Sequence, residues 1–197
     1  MRRPLAVAVT GGIGAGKSEA LRAFARHGAA TISSDEIVHR LLREDAEVRA
    51  ALLERFGDAI VGPDGELDRA AIGEIVFADR AELAWLEKLL HPRVSAEYLR
   101  WRDELARLPH PPAVCVTEVP LLYEVRGEAR FDAVVVVTAP SDLREERTPL
   151  AADERADRLL PDDEKAARAD FAYVNDRSLD DLDSFVASVL ERLSVPA

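Results

Sequence analysis

Residues 11–18 read GGIGAGKS, an octapeptide with the residue types and spacing of a phosphate-binding loop. It matches the pattern G-x-x-x-x-G-K-[ST] and falls between a predicted strand and a predicted helix, as that motif requires. Its glycines let successive backbone N–H groups surround a phosphate, and a helix beginning near Lys17 adds the positive end of its dipole. Lys17 is predicted to reach the β- and γ-phosphates, and the Ser18 hydroxyl to ligate Mg²⁺. The pattern therefore predicts binding of a nucleoside triphosphate.

Two other interpretations of these glycines fit less well. A glycine-rich turn with a surface lysine does not need all the defining positions of the motif between a strand and a helix. The dinucleotide-binding fingerprint needs a second gap of three residues, whereas Gly12, Gly14 and Gly16 follow one another by two.

The elements that position this loop are predicted from five short apolar runs, which are typical of buried strands. The runs are Leu5–Val9, Ala30–Ile32, Ala113–Thr117, Ala133–Val137 and Phe171–Val174. Helical patterns separate them. Strands that alternate with helices predict a parallel sheet covered on both faces, which is an α/β fold.

The spacing between the second and third runs predicts an inserted helical lobe. About 80 residues lie there and read as helix throughout, with Leu83, Leu86, Leu89, Leu90 and Val94 at helical spacing. Pro92 is expected to kink this helix or to start a new one. The predicted division is a nucleotide-binding core of residues 1–40, 110–140 and 166–197, and a helical acceptor lobe of residues 41–109.

A second interruption, residues 141–165, is predicted to form a mobile flap, or lid. It is charged, contains five arginine or lysine residues and has no apolar core pattern. Its arginines are Arg144, Arg147, Arg155 and Arg158. They have two interpretations, a solvated charged face or contacts to phosphate over a bound nucleotide.

Composition excludes several classes of protein. The 197 residues carry a net charge of -11, with 37 acidic and 26 basic residues, and such a field repels nucleic acid. No apolar run approaches the roughly 20 residues that span a bilayer, and the first residues do not have the pattern of a signal peptide. The one cysteine, Cys115, lies in an apolar run. We expect a buried inert thiol there, which is consistent with a reducing cytoplasm.

The phosphate-binding loop alone does not decide between a switch protein and an enzyme. A regulatory GTPase needs Asn-Lys-x-Asp after a late strand, where this chain has VNDRS at residues 174–178. A small-molecule kinase needs an acceptor lobe and a closing flap, because water must be kept from the transferred phosphoryl group. The predicted lobe and flap favour a kinase, and a regulatory switch module stays as the alternative.

Five segments resemble the bacterial dephospho-coenzyme A kinases, which catalyse the last step of coenzyme A biosynthesis, and the likeness covers nearly the whole chain. They are VAVTGGIGAGKS, ISSDEIVHRLL, GELDRAAIGEIVFADRAELAWLEKLLHPRV, EVPLLYE and LPDDEKAARADFAYVNDRS. The resemblance implies a P-loop kinase fold of the nucleoside monophosphate kinase type, ATP and Mg²⁺ as cofactors, and dephospho-coenzyme A as the substrate phosphorylated on its ribose 3′-hydroxyl. A nucleoside or nucleoside monophosphate kinase is the alternative among enzymes, and the oligomeric state is left open.

The resemblance also implies roles for individual residues. The catalytic set is Asp35, as the base beside the acceptor hydroxyl, with Lys17, Arg147 and Arg155. The nucleotide-binding set is Gly12, Ile13, Gly14, Ala15, Gly16, Lys17, Ser18, Glu19 and Asn175, the last on the adenine side. The substrate-binding set is Asp35, His39, Arg69, His91, Pro92, Leu121 and Tyr123, and the metal-binding set is Ser18 and Glu118.

The chain departs from the family pattern at several of these positions. Glu19 stands where the family usually has Thr, Ser33 and Glu118 where it has Asp, and Leu159 where it has Gln. The segment between Arg147 and Arg155 is also shorter than in the family.

Some of these residues also have structural interpretations. Ser33 and Glu36 have the spacing of a capping box, so Asp35 would then only stabilise the first turn of a helix. His91 fits a helix-face histidine before a proline equally well. Glu118 ends a predicted buried strand, where an unpaired carboxylate is costly, so a position near the metal explains it better.

Overall fold

The computed structural model describes residues 3–148 and 160–194. Its strands are β1 (Leu5–Thr10), β2 (Ala30–Ser33), β3 (Val114–Glu118), β4 (Ala133–Thr138) and β5 (Phe171–Val174). They form one sheet in the order β2-β3-β1-β4-β5, and every neighbouring pair is parallel. Each strand lies within one residue of the apolar run that predicted it, so the predicted α/β fold is confirmed.

The helices of the described residues are α1 (Lys17–Arg26), α2 (Ser34–Glu44), α3 (Ala46–Phe56), α4 (Arg69–Ala78), α5 (Arg80–Ala106), α6 (Ser141–Arg147), α7 (Asp162–Ala167) and α8 (Leu179–Ser194). Two short 3₁₀ helices lie at Gly57–Ile60 and Glu128–Arg130. None of these helices is long and apolar enough to cross a membrane.

Helices cover both faces of the sheet, as the alternation along β4 shows. Val135 packs on one face in a core cluster with Phe24 of α1 and Val186 of α8. Val134, which points to the opposite face, belongs to a second cluster with Leu122, and Ala166 of α7 packs against that cluster. Burial on both faces explains why the strands read as continuous apolar runs instead of alternating ones.

The strand order brings two segments with predicted site residues to one edge of the sheet. β1 and β3 are neighbours, with Val9 paired to Glu118, and Glu118 also pairs with Ser33 at the end of β2. Because the strands are parallel, the phosphate-binding loop after β1 and the carboxylate at the end of β3 lie at the same carboxyl edge. This edge is where open α/β sheets bind ligands.

Residues 35–100 form a second compact unit, distinct from the unit that contains the sheet. Its helices have well-formed starts. Asp45 precedes α3 and accepts hydrogen bonds from the backbone N–H groups of residues 47 and 48, and Asp68 caps α4 in the same way at residues 70 and 71. These aspartates satisfy donors that a helix start leaves without a partner.

The prediction that this part of the chain is helical throughout is wrong at one turn. Val61 and Leu67 form an isolated antiparallel bridge. The turn between them closes with a hydrogen bond of 2.9 Å from the Gly65 N–H to the Gly62 carbonyl, and Gly65 has φ 81°. Glycine adopts this left-handed conformation without strain, so it ends the helical pattern here.

Of the two outcomes expected at Pro92, a kink or a new helix, the new helix is wrong, because α5 is continuous from Arg80 to Ala106. A proline inside a helix removes one backbone hydrogen bond. The Arg93 guanidinium donates to the carbonyl oxygen of Leu89 at 3.0 Å and satisfies an acceptor next to this gap. Buried residues on both sides of the proline, Leu90 and Tyr98, stabilise the two halves as one helix.

Candidate active site

The phosphate-binding loop connects β1 to α1, as its pattern predicts. Gly16 immediately precedes α1 with φ 98° and ψ 22°, in the left-handed region that glycine tolerates. Gly11 has φ 143°, and a Cβ atom there would lie 1.9 Å from the carbonyl oxygen of Val137 on β4. Glycine is therefore required at Gly11 for the loop to pass this close to the sheet.

Lys17 is the first residue of α1, and its side chain turns back over the loop. Its Nζ donates a hydrogen bond of 2.8 Å to the carbonyl oxygen of Gly12. This contact places a positive charge beside the backbone N–H groups of the loop. A loop with that charge and an adjacent helix start is suited to a polyphosphate.

Ser18 and Glu118, the two residues of the predicted metal site, lie together. The Ser18 hydroxyl is 3.5 Å from Glu118 Oε2. Glu118 is only 4% exposed, so its carboxylate is held at the end of β3 with little access to bulk water. Two hard oxygen donors at the phosphate-binding loop are what Mg²⁺ prefers.

These donors fit Mg²⁺ better than a metal held by protein ligands alone. Within residues 3–148 and 160–194, no group of three or more His, Cys, Asp or Glu side chains is placed to hold a metal ion. Mg²⁺ in phosphoryl-transfer sites keeps several waters and is bound through one or two protein groups and the substrate phosphates.

Asn175, at the residue after β5, is buried against the phosphate-binding loop. Its Nδ2 donates to the carbonyl oxygen of Ala15 at 2.9 Å, and its own N–H donates to Thr138 at 2.7 Å. A Cβ atom on Gly16 would lie 2.2 Å from this Nδ2. Asn175 therefore fixes the backbone just before α1, which is a role that the resemblance did not indicate.

Arg147, at the end of α6, also reaches the loop. Its guanidinium donates to the carbonyl oxygen of Gly14 at 3.4 Å and to that of Asn175 at 3.3 Å. Both bonds are long, so the guanidinium is held near the loop by weak contacts.

Arg144, one turn earlier on α6, also lies beside the loop. A Cβ atom on Gly12 would lie 2.7 Å from Arg144 NH1 and 3.0 Å from both carboxylate oxygens of Asp162. Arg144 NH1 donates to Asp162 Oδ2 at 3.0 Å. An ion pair between α6 and α7 thus covers Gly12, which is buried.

Two residues of the predicted nucleotide and substrate sets have other contacts. The Glu19 carboxylate accepts hydrogen bonds from Arg22 one turn along α1, and this lowers the pKa of Glu19. Tyr123 is 3% exposed, the Arg168 guanidinium lies 4.2 Å from its ring centroid, and burial raises the pKa of its hydroxyl. Burial favours a packing role for Tyr123 over substrate contact, whereas Leu121 beside it is only partly buried.

The remaining predicted substrate residues belong to the second unit. Asp35 lies in the first turn of α2, His39 follows one turn later, Arg69 begins α4, and His91 and Pro92 lie within α5. The structure joins two of them, since Arg69 NH1 lies 2.7 Å from His39 Nδ1. Because a guanidinium can only donate, Nδ1 accepts and the ring proton of His39 lies on Nε2.

The middle of the predicted flap, with Arg155, Arg158 and Leu159, lies outside the described residues. Its two described ends are the helices α6 and α7. Lys165 at the end of this segment is fully buried and lies 2.8 Å from Glu124 Oε1, which also accepts from the Leu160 N–H at 3.0 Å.

Sequence reasoning did not single out Asp162, Lys165 or Glu124. Asp162 and Lys165 lie in a run of charged residues that is typical of a solvated surface, and Glu124 was noted only as the last residue of the EVPLLYE segment. For Arg144, as for the other arginines of the flap, the sequence left two interpretations open, a solvated charged face or a contact to phosphate. No pattern in the sequence indicated that this arginine and not another one covers Gly12.

Comparisons of the sequence and of the fold with known proteins identify the family of this chain. The sequence model of the dephospho-CoA kinase family matches residues 5–181. The dephospho-CoA kinase of Anaeromyxobacter dehalogenans (strain 2CP-C) is 41% identical over 179 residues, which cover 86% of this chain and 82% of that protein.

Two solved structures resemble the fold along nearly the whole chain. The protein TT1252 from Thermus thermophilus is 33% identical with a TM-score of 0.76, and the similarity covers 98% of this chain and 100% of that one. Dephospho-CoA kinase from Campylobacter jejuni is 27% identical with a TM-score of 0.70 and 96% coverage of both chains. With its phosphate-binding loop on a parallel sheet, this chain belongs to the dephospho-CoA kinase family of P-loop kinases.

Proposed function

We propose that this chain transfers the γ-phosphoryl group of ATP to the ribose 3′-hydroxyl of dephospho-coenzyme A. The observation that carries the proposal is the convergence of Lys17, Ser18 and Glu118 at the carboxyl edge of the sheet, in a chain of this family. The single buried cysteine is consistent with the reducing cytoplasm, where we place the enzyme.

The phosphate-binding loop holds the nucleotide. Its backbone N–H groups and the start of α1 bind the β- and γ-phosphates, and Lys17 leaves the Gly12 carbonyl to pair with them. Phosphoryl transfer passes through a loose transition state whose charge lies on the equatorial and bridging oxygens. Catalysis therefore depends mainly on positioning and on positive charge, which Lys17 supplies.

Ser18 and Glu118 would hold Mg²⁺, the first through its hydroxyl and the second directly or through a water. Mg²⁺ supplies charge neutralisation at the phosphate oxygens. Glu118 is one methylene longer than the aspartate usual in the family, and its contact with Ser18 shows that this carboxylate still reaches the α1 start.

Asp35 is the candidate base for the acceptor. It directly follows Ser34, whose hydroxyl donates to the Glu118 carbonyl oxygen at 2.7 Å, so the chain leaving β2 is fixed at the end of β3. The Asp35 carboxylate accepts the proton of the attacking hydroxyl group or orients that hydroxyl group. His39 and Arg69, which contact each other, and His91 with Pro92 are proposed to bind the rest of the acceptor.

An acceptor panel tests the proposal. Formation of ADP from ATP and Mg²⁺ is measured with dephospho-coenzyme A, adenosine or AMP, or without acceptor. The proposal predicts rapid turnover with dephospho-coenzyme A alone. Equal turnover with AMP would instead identify a nucleoside monophosphate kinase, and slow hydrolysis that no acceptor accelerates would identify a switch protein.

A further inference from the structure

Arg144 lies against two glycines of the phosphate-binding loop. Its backbone packs on Gly14, where a Cβ atom would lie 2.9 Å from the Arg144 carbonyl oxygen. Its guanidinium extends to Gly12, where a Cβ atom would lie 2.7 Å from NH1. A positive side chain thus crosses the surface of the loop, and glycine at both positions makes room for it.

The partner of this guanidinium is an anion. Asp162 on α7 accepts from Arg144 NH1 at 3.0 Å, and both of its oxygens lie 3.0 Å from the Cβ position of Gly12. The carboxylate is therefore held at the loop that binds phosphate. Carboxylate and phosphate oxygens are alternative partners for the same planar donor set of an arginine.

A second observation indicates that Arg144 is not fully satisfied by Asp162. Its Nε is buried and has no hydrogen-bond partner among residues 3–148 and 160–194. A buried donor left without a partner costs free energy, and an arginine that binds an anion in the bidentate manner uses two of its N–H groups together.

We propose that Arg144 is a phosphate-binding residue and that Asp162 competes with the nucleotide for it. In the protein without nucleotide, Asp162 neutralises Arg144 and holds it over Gly12. When the nucleotide binds, a phosphate oxygen replaces the Asp162 carboxylate on the guanidinium. Asp162 thereby weakens nucleotide binding. The inference rests on the proposed function only in assuming that this loop binds ATP.

The alternative is an ion pair that only joins α6 to α7. The two accounts differ in the sign of one effect. If the pair is structural, Arg144→Gln and Asp162→Asn remove the same bond and change nucleotide affinity in the same direction. If Asp162 competes with phosphate, the two substitutions act in opposite directions.

Calorimetry of ATP and Mg²⁺ binding without acceptor distinguishes the structural ion pair from competition between Asp162 and phosphate. Arg144→Gln should weaken binding about tenfold, as expected for loss of a charge-assisted hydrogen bond to phosphate. Asp162→Asn should tighten it about threefold to fivefold, as expected for removal of a partly exposed competing charge. Asp163→Asn, at an exposed neighbour on α7, is the matched control and should leave the affinity unchanged.

Opposite changes for Arg144→Gln and Asp162→Asn support the proposal. Weaker binding in both variants, or no change in either, would overturn it. If the wild-type protein does not bind ATP at all, the proposed function fails instead. If ATP binds but dephospho-coenzyme A is not phosphorylated, the proposed function fails, and the ATP affinities of the Arg144→Gln and Asp162→Asn variants still decide the role of Arg144.

Discussion

The Lys165 ammonium group lies 2.8 Å from Glu124 Oε1 and has no exposed surface. Glu124 ends the EVPLLYE segment after β3, and Lys165 belongs to α7. The pair therefore joins the chain that follows Glu118, the proposed metal ligand, to the helix that carries Asp162. Because the ammonium group is buried, we expect loss of this pair to lower the free energy of unfolding by a measurable amount.

Lys165→Met should destabilise the fold by about 3 kcal/mol, because it leaves the Glu124 carboxylate, whose side chain is only 13% exposed, without its cation. Urea unfolding measures the change. Arg3 and Asp132 form an ion pair at 2.7 Å in which the arginine side chain is 64% exposed. Arg3→Met is the control and should cost less than about 1 kcal/mol. If both variants lose the same free energy of unfolding, the buried pair contributes no more to stability than the exposed pair does.

Asn175→Asp should weaken ATP binding strongly while the size of the side chain stays the same. The Nδ2 donor that lies 2.9 Å from the Ala15 carbonyl oxygen becomes an acceptor, so two oxygens would face each other beside the loop. A charged group left without its partner costs about 2 kcal/mol or more, which corresponds to at least a tenfold loss of affinity. If Asn175→Asp binds ATP as tightly as the wild type does, Asn175 does not stabilise the phosphate-binding loop for nucleotide binding.

Cys115 should be inert to alkylation in the native protein. Burial raises the pKa of its thiol to about 11, so at about pH 8 only about 0.1% is thiolate, the reactive form. Because the folded-state pKa lies above the unfolded one, reactivity should rise as the pH approaches that value or as the protein unfolds. Iodoacetamide labelling followed by mass spectrometry checks this, and rapid labelling of the native protein at about pH 8 would contradict it.

Asp35→Asn distinguishes catalysis from helix stabilisation. If Asp35 is the base for the acceptor hydroxyl, its replacement should lower kcat by about 10²–10⁴-fold, with little change in KM or ATP affinity. As a first-turn charge alone, it should cost about 0.3–1 kcal/mol of stability and leave turnover nearly intact. Steady-state kinetics beside thermal unfolding separate the two, and a change in kcat of less than about threefold would leave Asp35 without a catalytic role.

The sequence predicts the elements that depend on local patterns. The five strands follow from apolar runs because a parallel sheet covered on both faces buries every side chain of a strand. The loop at residues 11–18 follows from glycines whose positions are fixed by backbone geometry, as Gly11 and Gly16 show. Both signals lie within a few residues of the element they predict.

Other features depend on contacts between distant residues and were not predictable in this way. Lys165 reads as a surface residue, whereas the structure buries it and pairs its ammonium group with Glu124, 41 residues earlier. Likewise, Arg144 meets Asp162 over Gly12 because three separate segments converge. The continuity of α5 through Pro92 reflects packing on both sides of the proline, which outweighs its local preference.

We propose that this chain phosphorylates a single hydroxyl group of a single acceptor. Phosphorus NMR of the product formed from ATP, Mg²⁺ and dephospho-coenzyme A tests it most directly. We expect a new phosphomonoester on the ribose 3′-oxygen, with one ADP formed per product. The Lys17→Ala variant should fold but form this product about 10²–10³-fold more slowly. A product phosphorylated elsewhere, ADP formed without any phosphorylated acceptor, or near-normal activity of Lys17→Ala would contradict the account.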